Sequence, residues 1–285
     1  MPKKDKQYTI GIDIGGTKIS AVLFDGVKVI ADDKLASPKD SLDHFMVMIN
    51  ALIEPLLEKA KKDKVKVKGI GLGIPGPINY KEKKVLICNN LHLIDGIKLG
   101  KLLEQKVNLP VKMDHDTNCM LRAEMKLGVG QKYKNAYCVT ISTGVGGTWW
   151  YNGKIYKGAH GGAGEPGEMI INFEAGITLE QAYHKLTQAN PAILATEAYR
   201  GDTLAEKVFE EVGRDLGIAF ANIVNILDPE VIIVFGGAIQ SSDLFLPAVK
   251  KSMREYIHSP ESKKIKLLKS KLGEHAGAIG AALLV

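Results

Sequence analysis

The chain has 285 residues, 45% hydrophobic and 25% charged, the balance of a globular protein with room for two domains. No run reaches the roughly 18 apolar residues of a membrane helix. Met1–Gln7 is polar and basic, unlike the apolar core of an export signal, so a cytoplasmic protein without a membrane partner is expected. The net charge of +6 comes from short lysine runs interleaved with acids. No helix-turn-helix or zinc-finger spacing accompanies it, so nucleic acid is not expected as a partner. Cys88, Cys119 and Cys138 are far apart and form neither a CxxC pair nor a disulfide framework.

In chain order, Tyr8–Asp13, Lys18–Phe24 and Val27–Ala31 read as three strands joined by Gly-containing turns. Leu42–Ala60 carries apolar residues at helical spacing (Phe45, Ile49, Leu52, Ile53, Leu56). A strand over Val65–Ile74 stops at Pro75-Gly76-Pro77. A helix at Ile97–Lys106, a short strand at Val111–Met113 and a helix at Thr117–Leu127 follow. The opening pattern then returns: a strand at Ala136–Ser142, a Gly-rich turn, a strand at Thr148–Tyr151, the hairpin signal Asn152-Gly153 and a strand at Lys154–Tyr156. Helices are expected over Leu179–Thr187, Pro191–Arg200, Thr203–Leu227 and Leu244–Tyr256, with strands over Glu230–Phe235 and Lys264–Leu268. A small-residue helix, Ala276–Leu284, is expected to pack back onto the first domain. The repeated motif implies two related α/β domains.

Three segments contain the glycine patterns of nucleotide loops. Gly71-Leu-Gly73-Ile-Pro-Gly76 is a literal GxGxxG, but Pro75 and Pro77 prevent the helix that a dinucleotide fingerprint must open, and a tight turn lining a cleft is expected instead. Gly16-Thr17-Lys18 ends like a P-loop but leads into a strand. The third reading takes Asp13-Ile-Gly15-Gly16-Thr17-Lys18 as a hairpin whose backbone N–H groups can approach phosphate, with Thr17 and Lys18 as further donors. Asp13 would hold Mg²⁺ directly or through water. Ser142-Thr143-Gly144-Val145-Gly146-Gly147 offers the same device from the second half.

These segments, in this order, resemble the ROK family of sugar kinases along nearly the whole chain. IGIDIGGTKISAVLFD is similar to the family's first phosphate motif, GIGLGIPGPIN to its PGP segment, and DHDTNCMLRAE to its Asn-Asp-Ala-Asn helix start. ISTGVGGTWWYNGKIYKGAHGGAGEPGEM is similar to the second phosphate motif and signature, and ANIVNILDPEVIIVFGGAI to the adenosine segment. The resemblance implies an α/β fold of two actin-like, ribonuclease-H-like domains with an interdomain cleft, residues 1–115 plus 272–285 forming one domain and 116–271 the other. It implies transfer of the γ-phosphoryl of ATP, with Mg²⁺, to a hexose hydroxyl. Asp116 would be the general base, because a sugar hydroxyl is a poor nucleophile until a carboxylate takes its proton. Asp114, two residues away, should point elsewhere, and an N-cap role for Asp116 is the structural alternative. Asp13, Gly15, Gly16, Thr17, Lys18, Thr143, Gly144 and Gly146 would bind phosphate, and Gly236 and Gly237 the adenosine. Asn90, Asn118, Glu165, Glu168 and Glu180 would bind the sugar, and a homodimer is expected.

Two departures qualify the resemblance. Glu168 stands where the family often has a His shared between sugar and zinc, and INFEAGITLE replaces the family's cysteine-rich loop, so no zinc site is expected. Apolar contacts of Ile171, Phe173 and Ile177 would then hold residues 170–178. Glu168 accepts hydrogen bonds only, which favours plain hexoses or hexosamines over N-acetylated ones. The rival readings are a polyphosphate-dependent kinase, an N-acetylhexosamine kinase, a non-catalytic sugar sensor, and an actin- or chaperone-like ATPase. A DNA-binding repressor is not expected, since about seven residues precede the first phosphate motif.

Overall fold

The computed structural model describes residues 7–285; the opening segment Met1–Lys6 lies outside the described residues. The chain forms two compact units, one of residues up to 131 together with 271–285, the other of residues 132–270.

The first unit opens with an antiparallel meander of β1 (Gln7–Ile14), β2 (Lys18–Phe24) and β3 (Val29–Ala36), followed by α1 (Leu42–Lys62) and β4 (Lys66–Ile74). A two-stranded piece, β5 (Ile78–Asn79) with β6 (Lys84–Val85), precedes α2 (Leu99–Val107), β7 (Val111–His115) and α3 (Asp116–Leu127). The sheet order is β3-β2-β1-β4-β7, with β1, β4 and β7 parallel. Alternation along a strand sends successive side chains to opposite faces. In β1 and β4 this gives the isoleucines and leucine (Ile10, Ile12, Ile14, Ile70, Leu72, Ile74) to a core completed by Phe45, Ile49, Leu52 and Leu56 of α1. The residues between them, Gly11, Asp13, Gly69, Gly71 and Gly73, share the other face.

The second unit repeats the plan. β8 (Asn135–Ile141), β9 (Val145–Tyr151) and β10 (Lys154–Tyr156) form the meander, and Asn152 and Gly153 close its second turn at φ 52° and 85°. β11 (Ile170–Asn172) pairs with β12 (Ile177–Thr178), and then come α4 (Leu179–Thr187), α5 (Pro191–Tyr199), α6 (Thr203–Leu227), β13 (Val231–Phe235), α7 (Ser242–Tyr256) and β14 (Lys266–Lys269). The order β10-β9-β8-β13-β14 matches that of the first sheet strand for strand. Asp202 caps α6 by accepting from the backbone N–H groups of Leu204 and Ala205, at 2.8 and 3.1 Å, a device worth about 1 kcal/mol. Gly213 and Gly217 let α6 lie against Phe245, Val249 and Ser252 of α7.

Each expected strand and helix has a counterpart, but β3 runs five residues beyond the expected end, to Ala36, and β9 starts at Val145, inside the expected Gly-rich turn. Two further expectations fail. Phe173 does not brace the 170–178 segment: it is 90% exposed at the tip of the β11–β12 hairpin. Strand pairing, the Asn172 side chain capping Ala175 N, and Ile171 against the second core hold that hairpin instead. The sequence reading also cut the domains ahead of residue 116, whereas α3 lies in the first unit. The cause is α8 (Ala276–Ala282), whose Gly280 has no Cβ to strike the carbonyl of Cys119, so α3 and α8 pack backbone to backbone.

Candidate active site

Helix α8 covers the glycine face of β1 and β4. A Cβ on Gly11 would collide with Ala278 O, and one on Gly71 with Ala281 O. The GxGxxG segment is therefore not a turn over its first half. Gly71 and Gly73 lie inside β4, Gly71 under α8 and Gly73 against the Asp13 carboxylate and the start of α3, and only Gly76, at φ 151°, sits in a turn, against Ile87 O. The same face carries Asp13, whose carboxylate lies against Gly277 and near Gly73, and Gly73 also neighbours Asp116 Cα and Cys119 Sγ. Burial and the charge of Asp116 push the Asp13 carboxyl up to about 7, with Lys18 opposing.

The turn after β1 is a hairpin, as Gly15 N donates to Lys18 O at 2.9 Å. Ser37 fixes it from β3's end, its hydroxyl donating to Gly15 O at 2.6 Å and its N–H to Thr17 O at 3.0 Å. Gly16 faces Asn90, and an added Cβ would stand 2.6 Å from the Asn90 Cβ. This brings Asn90 beside the glycine turn, where Lys39 Nζ donates to its carbonyl at 2.5 Å. Lys18 Nζ reaches Glu274 at 3.1 Å, and Lys34 shares that carboxylate at 3.3 Å. Glu274 carried no signal in the sequence.

Asp116 opens α3. Its Oδ1 accepts from Thr117 N at 2.6 Å and lies 2.9 Å from His115 Nδ1, which also reaches Thr117 Oγ1 at 2.8 Å. The helix's N-cap residue is His115, without a side-chain capping bond. Asp114 points elsewhere, and the cause is not the two-residue spacing, which in an extended segment would put both carboxylates on one face, but the end of β7 at His115 and the start of α3 at Asp116. It is buried and accepts from Tyr80 Oη at 3.0 Å, Asn118 Nδ2 at 2.9 Å and Arg122 Nη2 at 2.7 Å. Asn118 is thereby turned into this network and is 9% exposed. Burial and Asp114 raise the Tyr80 phenol, keeping it a donor.

In the second unit, Glu180 Oε2 accepts from Val145 N at 2.8 Å, so this carboxylate holds the Ser142–Val145 turn, and Gly144 leaves room for it. Tyr183 Oη donates to Ser142 O at 2.9 Å, and His184 Nε2 lies 2.6 Å from Thr143 O. Thr143 is exposed; Gly146 lies in β9 opposite Thr140. Glu165 and Glu168 are exposed at the two ends of a 3₁₀ turn, Pro166–Glu168. Glu165 lines a pocket of about 220 Å³ with Tyr137, Trp149 and Tyr156. Gly236 adopts φ 91° against Ile141 O, and an added Cβ on Gly237 meets nothing within 4 Å. A larger pocket, about 670 Å³, joins Ser142 and Thr143 to Gly237 and Ala238, with walls from Asn190, Pro191, Ala195, Tyr199 and Phe209. The wall residues on α5 were not found in the sequence, since their apolar helix reads as core. Among the described residues no three His, Cys, Asp or Glu side chains gather to hold a metal, and the three cysteines are buried in separate elements. No helix among them is long and apolar enough to cross a membrane.

A duplicated five-stranded sheet of this order, each copy with a glycine turn after its first strand, defines the actin-like α/β fold class. Within that class, the ROK family model matches residues 9–285, and the chain belongs to the ROK family. It is 30% identical to an N-acetyl-D-glucosamine kinase of Mannheimia succiniciproducens, covering 96% of this chain and 98% of the relative. It is 26% identical to a xylose repressor of Caldicellulosiruptor bescii, covering 99% of this chain and 79% of the relative. Among solved structures it is similar to a ROK family glucokinase from Streptomyces griseus in complex with glucose and AMPPNP, with a TM-score of 0.79, 27% identity and coverage of 98% and 99%.

Proposed function

We propose that this protein is an ATP-dependent hexose kinase that phosphorylates a sugar hydroxyl. The observation that carries the reading is the 670 Å³ pocket, which puts Thr143 of the second glycine turn and Gly237 on the walls of one space of nucleoside size. Polyphosphate alone would have no use for its apolar walls. The ATP-analogue complex of the Streptomyces griseus relative supports the same donor.

In this reading Asp116 is the base. With Thr117 N and His115 both at Oδ1, Oδ2 is the oxygen that takes the hydroxyl proton as the new O–P bond forms and the bond to the ADP leaving oxygen breaks. The Gly15–Lys18 turn offers backbone N–H groups and the Lys18 ammonium to phosphate oxygens. Asn90, Asn118, Glu165, Glu168 and Glu180 are the proposed sugar contacts, with Asn118 and Glu180 also holding Asp114 and the Val145 turn. Asp13 would hold Mg²⁺: its carboxylate oxygens, seated against Gly277 and near Gly73 beside Asp116, are the hard donors that this cation takes. When bound there, Mg²⁺ neutralises charge on the donor phosphates.

A coupled ADP-release assay over glucose, mannose, fructose, glucosamine and N-acetylhexosamines, with ATP and with polyphosphate, tests the proposal. Turnover with ATP and a plain hexose is expected. A repressor, as the Caldicellulosiruptor bescii relative is named, or a sugar sensor would show no turnover with any sugar of the panel.

A further inference from the structure

Helix α3 begins with Asp116 and carries Glu124 two turns later. Glu124 is fully buried. Both of its oxygens accept from backbone. Oε2 accepts from Val129 N at 2.7 Å, and Oε1 accepts from both Lys271 N and Leu272 N at 2.9 Å. The Glu124 carbonyl adds bonds from Gly128 N and Gly130 N, at 3.0 Å each. Gly128 permits this, since a Cβ there would overlap the Glu124 carboxylate. One side chain therefore fastens the segments that precede and follow residues 132–270 to the helix that carries the proposed base.

The 271–277 segment ends at two groups already described. Glu274 pairs with Lys18, and Gly277 seats the Asp13 carboxylate. Between Leu272, bound to Glu124, and Gly277 run only four residues, in a 3₁₀ turn and the start of α8. A shift at Leu272 is thus passed along a short, hydrogen-bonded stretch to both Lys18 and Asp13, while a shift of Glu124 moves with Asp116 on the same helix. We infer that Glu124 is a positioning residue: it sets the register between Asp116 on one side and the Asp13–Lys18 phosphate turn on the other. The inference rests on the kinase reading for its kinetic consequence, but its geometry stands apart from it.

A carboxylate is required because three donors converge on two acceptor oxygens. Gln has one oxygen, so Glu124→Gln can keep the Val129 bond or the Lys271–Leu272 pair, and its amide N–H₂ then faces a donor. Glu124→Gln should lower kcat per folded molecule about tenfold or more with KM for the hexose changed less than about threefold, because the sugar contacts are kept and the base is displaced from the phosphate turn. Gly128→Ala is the second variant. It keeps the charge, pushes the carboxylate from Val129, and should reproduce the kcat-selective loss. Hydrogen exchange on the wild-type protein supplies the measurement that no folding defect can obscure: the Val129, Lys271 and Leu272 amides should be strongly protected, although they lie outside long helices and strands. Loop-like exchange of those amides overturns the clamp. An unchanged kcat in folded Glu124→Gln or Gly128→Ala, where the wild type turns over, overturns the positioning role. A wild type that phosphorylates no sugar overturns the kinase reading and, with it, the kinetic consequence, while the exchange result still decides the clamp.

Discussion

Asp13→Asn should stabilise the ligand-free protein while removing its activity. The Asp13 carboxyl titrates near 7 in the fold against 3.8 in an unfolded chain, raised by burial and by Asp116. Between those values the native state keeps a proton that the unfolded state has lost, so stability falls as pH rises through the window and the full cost is present above 7. A displacement of this size corresponds to about 4 kcal/mol at most, and part-exposure of the side chain brings the expected gain for Asn to about 2–3 kcal/mol at pH 8. At pH 4 the gain should shrink to about 0.5 kcal/mol, because the native group is then neutral and the unfolded one only about half ionised. Both tryptophans, Trp149 and Trp150, lie in the second unit, so their fluorescence is blind to this change. Urea unfolding followed by exchange of the β1 amides, in EDTA at pH 4 and pH 8, is the appropriate assay. Added Mg²⁺ with nucleotide should narrow the difference at pH 8. Parallel stability of the two proteins at both pH values would refute the argument from burial and the Asp116 charge.

Gly237→Val should leave the melting temperature unchanged, because a Cβ there meets nothing within 4 Å, yet weaken ATP binding by about tenfold through intrusion into the 670 Å³ pocket; titration calorimetry with ATP measures it, and undiminished affinity would move the nucleotide elsewhere. Glu274→Gln should release Lys18 and Lys34 and lower the KM for ATP about two- to fivefold at low salt, with the gain lost in 0.5 M salt, since an exposed ion pair is screened. Steady-state kinetics at two ionic strengths check this.

Most of the fold could be read from the chain because its signals are local. Alternating apolar residues, the Asn152-Gly153 turn and the α1 periodicity each act over a few residues, and the repeat of the opening pattern foretold two sheets of one topology. The glycines were harder. Gly71 and Gly73 look like a phosphate loop because the cause of their smallness, the Ala281 carbonyl and the Asp13 carboxylate, is supplied from distant sequence. The allegiance of α3 was hidden for the same reason, being decided by contact between Cys119 and Gly280. Side-chain direction was the other blind point. Asn118 and Glu180 were legible as polar residues in a telling place, but their bonds to Asp114 and Val145 depend on packing that no spacing reveals. Glu124 looked like one more helical acid, and only the closing of the chain at Lys271 and Leu272 gives it three donors.

The central claim is that Asp116 takes the proton of a sugar hydroxyl as ATP's γ-phosphoryl moves to it. A single-turnover experiment with γ-labelled ATP and the best hexose of the panel, run on wild-type protein and Asp116→Asn with both ligands' affinities measured in parallel, tests it most directly. Labelled sugar phosphate is expected from the wild type, with retained affinities in the variant and a transfer rate reduced by about 10² or more. Transfer at the wild-type rate by Asp116→Asn would contradict it.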